Sequence, residues 1–227
     1  MTGDHSVIDI TRVLSPETAA WPGDTQFSIE WIQETEKEDT VNLSKLTLSP
    51  HNSTHIEAPL HFYSQAASVE GLALKRLIGP CLVVDVTRAV DVSKTHLLID
   101  EHILSKAIVY SGCSADNLPC RLLVKTGYKC DSSFNRQFWH FSSAAIDFLS
   151  RSGVGLVGTD APSIDKFASK ALPAHKACVQ HDIYIIEYLD LTEVESGLYK
   201  LIALPVKMAR VEASPLRAVL VDGSSKT

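Results

Sequence analysis

Two prolines, Pro50 and Pro59, flank the start and middle of the segment His51-Asn-Ser-Thr-His55-Ile-Glu57-Ala-Pro59-Leu-His61, and they restrict the fold more than any other local feature. Proline inside a helix removes a hydrogen bond and clashes with the preceding turn, which excludes one continuous helix here. Helical spacing would in any case leave Glu57 and His61 well round from His51 and His55. In an extended chain all four share one parity and one side, but such a stretch spans roughly 33 Å. The chain therefore turns, and Asn52-Ser53 is the pair whose side chains favour it. That turn returns His51 beside His55 and Glu57, and it leaves His61 at the edge of the group.

Three of the nine histidines fall within these eleven residues, with a glutamate among them. A single histidine in a polar loop is ordinarily a surface residue. Three with a carboxylate, entered by the apolar Leu43, Leu46 and Leu48, read instead as a site for zinc or manganese. Neutral imidazole is also the side chain best suited to moving protons near pH 7.

The segment resembles the His-x-Gly-(Thr/Ala)-His-x-Asp-x-Pro-x-His signature of the metal-dependent cyclase-like hydrolases, most closely the bacterial kynurenine formamidases among them. Ser53 stands where that family has glycine, and Glu57 where it has aspartate. Further runs carry the resemblance from about Ile8 to Leu220: Trp21-Pro-Gly-Asp-Thr25, Gly158-Thr-Asp160-Ala-Pro-Ser163-Ile-Asp165, Leu201 to Lys207, and Ser214 onward. The fold this implies is α/β, a mixed β-rich sheet with short helices of the swivelling β/β/α kind, usually dimeric or larger.

The resemblance also implies two divalent metal ions, zinc or alternatively manganese. His51, His55 and Glu57 would hold one. His175 and Glu187 would hold the other, with Glu57 bridging. His61 would be the general acid/base, and Trp21 would lie close to the substrate, where a flat indole can stack on an aryl ring. Taken singly, His175 reads as a helix-face histidine and Glu187 as an ion-pair partner; only the resemblance gives them roles. The reaction implied is hydrolysis of an aryl formamide, N-formylkynurenine first. The alternatives are a cyclic aryl amide such as isatin, or a non-catalytic member that binds a small ligand. The longer Glu57 displaces its carboxylate by roughly 1.5 Å relative to aspartate. Ser53 costs about 1 kcal/mol if its φ is positive.

The rest of the chain reads as one domain over 1–227, with a core over about 6–221 and a short C-terminal tail over 222–227. Hydrophobic content of 45% and charged content of 21% are ordinary for a globular protein. The net charge of −6, without a basic block, argues against nucleic acid and anionic membrane. Five cysteines without a C-x-x-C pair, no signal-like opening and no long apolar run predict a cytoplasmic protein with reduced thiols.

Alternation predicts strands at 6–11, 27–31, 41–49, 82–86, 108–110, 122–125, 154–157, 183–187, 198–204 and 217–221. Helices are expected over 69–78 (ended by Gly79-Pro80), 97–106, 142–152 and 170–181. Gly153-Val-Gly155-Leu-Val-Gly158 matches G-x-G-x-x-G, but a dinucleotide fingerprint needs a strand before it and a helix opening at it. Here the order is reversed, so a dinucleotide cofactor is rejected. A serine nucleophile at Gly112-Cys-Ser114-Ala-Asp116 lacks the final glycine of the elbow. Cys178, three residues after His175, is a weaker candidate nucleophile, since that spacing commonly reflects packing.

Overall fold

The computed structural model describes residues 6–90 and 96–222, and the last five residues of the expected tail lie outside the described residues. β1 (Val7–Asp9) is followed by a separate antiparallel hairpin of β2 (Ser28–Gln33) and β3 (Leu43–Thr47). β4 (His55–Glu57) is short and wholly buried, and β5 (Ile78–Asp85) follows it. Next come β6 (Leu98–Ile99), α1 (Glu101–Tyr110), β7 (Arg121–Lys125) and β8 (His140–Phe141). α2 (Ser143–Arg151) leads to β9 (Leu156–Thr159), and α3 (Pro173–Gln180) to β10 (Tyr184–Glu187). The long β11 (Gly197–Pro205) and β12 (Ala213–Asp222) complete the set.

The main sheet has the order β1-β12-β11-β5-β7-β9-β10-β4. β5, β7, β9 and β10 are parallel, whereas β11 runs antiparallel to both β5 and β12. β4 pairs antiparallel with β10 on one side and with the start of β12 on the other, so the sheet closes through this three-residue strand. Closure leaves β4 no free edge, which suits a strand whose backbone is buried.

The period of two sends alternate side chains to two cores. Leu82, Val84, Leu122, Val124 and Ile185 pack against α1, α2 and α3. Val83, Leu123, Ile56, Ile186, Leu201 and Leu220 form a second core on the opposite side of the sheet. Ser142 caps α2 by accepting from Ala145 N at 3.1 Å, a contact worth about 1 kcal/mol, and Gly153 ends that helix at φ +82°.

The expected fold class is observed, and several local expectations need correction. Residues 69–78 do not form a helix. They make two single 3₁₀ turns, Val69–Gly71 and Leu74–Arg76. Tertiary bonds take the backbone groups an α-helix would need: Arg121 donates to the Lys75 and Arg76 carbonyls, and Ala73 N donates to the Tyr184 hydroxyl. Gly79-Pro80 lies inside β5, opposite Leu201 and Lys200 of β11, and terminates nothing.

Ile108-Val109-Tyr110 is the last turn of α1 and not a strand. Ile103, Leu104, Ala107 and Ile108 are buried at helical spacing, while Val109 and Tyr110 face solvent. The helix expected over 97–106 begins later, with Asp100 as cap to Ile103 N at 2.9 Å. The helix expected from 170 starts at Pro173, because Leu172 has φ +47°. In the glycine run the strand β9 follows a helix, as read from the sequence. A Cβ at Gly158 would lie 2.5 Å from a methyl of Leu123, so close packing explains that glycine.

Candidate metal centre

Strand register builds the first half of the site. His55 lies directly opposite Glu187, and Glu57 opposite Ile185, across the β4–β10 pair. Directly opposed residues share a face, so His55, Glu57 and Glu187 project together from one side of the sheet. The turn before β4 brings His51 back to them. Asn52 N donates to Ser49 O at 3.0 Å, Ser49 N donates to the Asn52 side chain at 2.8 Å, and Ser53 has φ +59°. His61 ends a 3₁₀ turn that begins at Pro59.

The second half comes from α3. The orphan N–H groups of a helix's first turn need acceptors. Asp165 supplies them, accepting from Ala174 N at 3.2 Å and His175 N at 3.1 Å. The same carboxylate lies 2.8 Å from His175 Nδ1. That contact turns His175 Nε2 toward Glu187 Oε1 at 3.2 Å and Glu57 Oε2 at 3.3 Å.

Around Glu57 Oε1 stand His51 Nδ1 at 3.5 Å, His61 Nε2 at 3.7 Å and His55 Nε2 at 3.8 Å. His55 Nε2 also lies 3.6 Å from Glu187 Oε2 and 3.2 Å from His51 Nδ1. His55 Nδ1 is 2.9 Å from the Ser53 carbonyl, which can only accept, so Nδ1 carries the proton. In a neutral ring Nε2 is then a bare lone pair, and it faces two carboxylate oxygens. Lone pairs aimed at buried anions repel unless a cation lies between them.

Two further observations point to the same deficit of positive charge. His51 Nε2 and Glu57 Oε2 are buried without a hydrogen bond. Burial opposes ionisation at Glu57, yet the charge of the facing His175 holds the carboxyl well below the usual range. Burial likewise opposes charge on His175 and His51, and the Glu57 carboxylate outweighs it, raising both. The raised His51 and His175 report the negative charge of the buried carboxylates, which a cation would offset. Two overlapping sets, His51-Glu57-His61 and His55-Glu57-Glu187, have ligand atoms within 4.8 Å of one another. The donors are imidazole nitrogen and carboxylate oxygen, the chemistry that zinc and manganese take.

His61 is the most open of the group, its side chain 34% exposed against 3% for Glu57. It sits at the rim, with its ring centre 4.4 Å from that of His51. Burial pushes its pKa below the ordinary imidazole value, against the pull of Glu57. These groups form the floor of a cavity of about 450 Å³. Trp21 is on its wall, 4.9 Å from the Phe167 ring and 5.1 Å from Phe134.

All seven residues singled out in the sequence thus meet at one cavity. Three neighbours were missed. Asp165 orients His175, Glu212 places Oε1 3.4 Å from His51 Nε2, and Phe167 completes the aromatic wall. Asp165 lies ten residues before His175 in a loop, and no local periodicity marks it. Neither rival nucleophile fits. Burial raises the Cys178 thiol well above its usual pKa, and Ser114 caps a 3₁₀ turn and does not line this cavity.

Ser53 makes a stability prediction. Its left-handed backbone costs about 1 kcal/mol for any residue but glycine. Its hydroxyl offsets this by donating to Arg12 O at 2.9 Å, a bond worth about 1 kcal/mol. Ser53→Gly is therefore expected to be close to neutral, and Ser53→Ala to destabilise by about 1 kcal/mol, in urea denaturation of both variants. Equal midpoints for the two would show that the left-handed geometry is not costly here.

Known proteins resemble this chain in sequence and in fold. The family model described as "Putative cyclase" matches residues 8–166. The kynurenine formamidase of Salinibacter ruber (strain DSM 13855 / M31) is 40% identical over 220 residues, covering 96% of this chain and 98% of that protein. A solved structure described as a potential metal-dependent hydrolase with cyclase activity superposes with a TM-score of 0.77 at 26% identity, covering 96% of this chain and 98% of its own. An isatin hydrolase bound to the product analogue thioisatinate shares the fold, with a TM-score of 0.79 at 20% identity over 97% of this chain and 93% of its own. On a match that spans most of its length, the chain belongs to the cyclase family.

Proposed function

We propose that this protein is a metal-dependent amidohydrolase that converts N-formyl-L-kynurenine and water to L-kynurenine and formate. The observation that carries the reading is the convergence of His55 and His175, each with Nδ1 held by an oxygen partner, on Glu57 and Glu187. Kynurenine formamidases 36–40% identical over nearly the whole chain support the substrate. His51, His55 and Glu57 would hold one divalent ion, zinc or manganese; His175 and Glu187 would hold a second, shared through Glu57. Divalent ions at such a site polarise a carbonyl and lower the pKa of water from about 16 to about 7.

The protein's own side chains account for the rest. Trp21 and Phe167 offer flat faces on which an aryl ring can lie, placing the formamide toward the histidines. His61 at the rim, with its lowered pKa, is a free base near neutrality. It takes a proton from the attacking water and delivers it to the aryl nitrogen as the C–N bond breaks. Water oxygen ends on the formyl carbon, giving formate. An aryl amine leaves more readily than an alkyl amine, so one imidazole suffices.

The hairpin β2–β3 exposes Ile29, Trp31, Ile32, Leu43 and Leu46 to solvent, which supports a homodimer or larger assembly. Five unpaired cysteines support a reducing cytoplasmic location, and no described helix is long and apolar enough to cross a membrane.

The test is metal analysis of the purified protein beside turnover of three amides. N-formylkynurenine is expected to be hydrolysed faster than an aliphatic formamide of similar size, and Trp21→Ala to lower kcat/KM for it. Equal rates on aryl and alkyl formamides would refute the aromatic substrate. Hydrolysis of isatin, with none of formylkynurenine, would assign a cyclic aryl amide instead.

A further inference from the structure

We infer that Lys166 is a specificity-determining residue that binds the α-carboxylate of a zwitterionic, amino-acid-bearing aryl amide at the mouth of the cavity. The inference rests on the formamidase reading and names what selects an amino-acid substrate over a neutral anilide. The cavity is otherwise a poor host for an anion: Glu57 and Glu187 lie on its floor, Asp24 is on its lip, and the chain carries a net charge of −6. The carboxylate end of an amino-acid substrate is repelled by such a field unless a fixed cation meets it.

Lys166 is the one lysine or arginine among the residues lining the cavity, and its ammonium has no ion-pair partner among the described residues. Its backbone is held in place. Asp165 before it is fixed to the start of α3, and Ser169 N donates to Lys166 O at 2.8 Å. Phe167 after it forms the aromatic wall with Trp21. An aryl ring against that wall therefore shares the cavity with Lys166 and with the histidine cluster.

The surroundings repeat the same charge. Lys166 also borders an adjoining cleft of about 250 Å³ with His96, Arg136 and His140. The Arg136 guanidinium lies 4.8 Å from the Phe167 ring centre and is likewise without a described carboxylate partner. His140 Nδ1 is buried without a hydrogen-bond partner. Lys166 and Arg136 thus border one cleft beside Phe167, two cations that can meet a substrate carboxylate at the cavity mouth.

The test compares N-formylkynurenine with formanilide, which carries the same scissile bond and no carboxylate, on the metal-loaded enzyme. Lys166→Met is expected to lower the ratio of kcat/KM for formylkynurenine over formanilide about tenfold, with the loss in KM, since hydrogen bonds to charged groups carry that much even when partly screened. Lys166→Arg is expected to restore most of the ratio. Added sodium chloride should lower the wild-type ratio and leave that of Lys166→Met nearly flat. A ratio unaltered in Lys166→Met, or lost through kcat alone, overturns the assignment of Lys166. An enzyme that hydrolyses neither compound overturns the formamidase reading, and this inference with it.

Discussion

His55→Ala is expected to lose bound divalent metal and formamidase turnover together, down to the level of the chelated wild type. His55 is buried, its Nδ1 is committed to the Ser53 carbonyl, and its Nε2 lies within 3.8 Å of both glutamates. Its removal leaves Glu57 and Glu187 facing each other with one imidazole fewer, so metal affinity falls steeply. The same logic ties metal to folding, because a ligand that binds only the native state stabilises it in proportion to the logarithm of its concentration over Kd. Chelation should therefore lower Tm of the wild type and leave Tm of His55→Ala almost unmoved. Elemental analysis, activity and a melting curve with and without chelator make the check. Wild-type activity that survives a strong chelator, in protein free of zinc and manganese, would end the metalloenzyme reading.

His61→Ala is expected to keep its metal and lose turnover by about 10²- to 10⁴-fold, the range that general acid–base catalysis supplies. That is about 3–5 kcal/mol of barrier. The prediction separates two roles the geometry brings close together. His61 Nε2 is 3.7 Å from Glu57 Oε1, and with His51 it belongs to a set that could hold an ion. Its exposure and rim position favour proton transfer over ligation. Metal content measured on the same sample decides the matter: a variant that comes out metal-free makes His61 a ligand, and a fully active one makes it structural.

The two positions where this chain departs from the sequence signature fare differently in three dimensions. Ser53 does adopt the positive φ that makes glycine the easy choice, and the Arg12 carbonyl offers its hydroxyl a compensating bond. Glu57, one methylene longer than aspartate, still places its two oxygens between the histidines from both halves of the site. β4, paired on both sides, fixes the backbone from which that side chain projects.

Much of this protein was legible in its residues. Parity and proline placement required His51, His55 and Glu57 to meet across a turn at Asn52-Ser53, since no regular element could otherwise join them. Alternating apolar residues marked most strands, and capping residues marked α2. Local reading failed where backbone groups were claimed from a distance. Arg121 and Tyr184 broke an apolar stretch at 69–78 into two short turns, and burial against the sheet kept Ile108 helical. The residues that aim the site were equally out of reach. Asp165, Glu212, Phe167 and Lys166 matter through what they touch: a histidine ring, a wall of aromatics, the mouth of a cavity. Those contacts come from β4 being paired with both β10 and β12, and from α3 docking its first turn on a loop carboxylate. Periodicity and composition report what a residue is and what lies within a turn of it; only the closed sheet decides which distant side chains share a buried space, because that choice is made by packing between elements far apart in the chain.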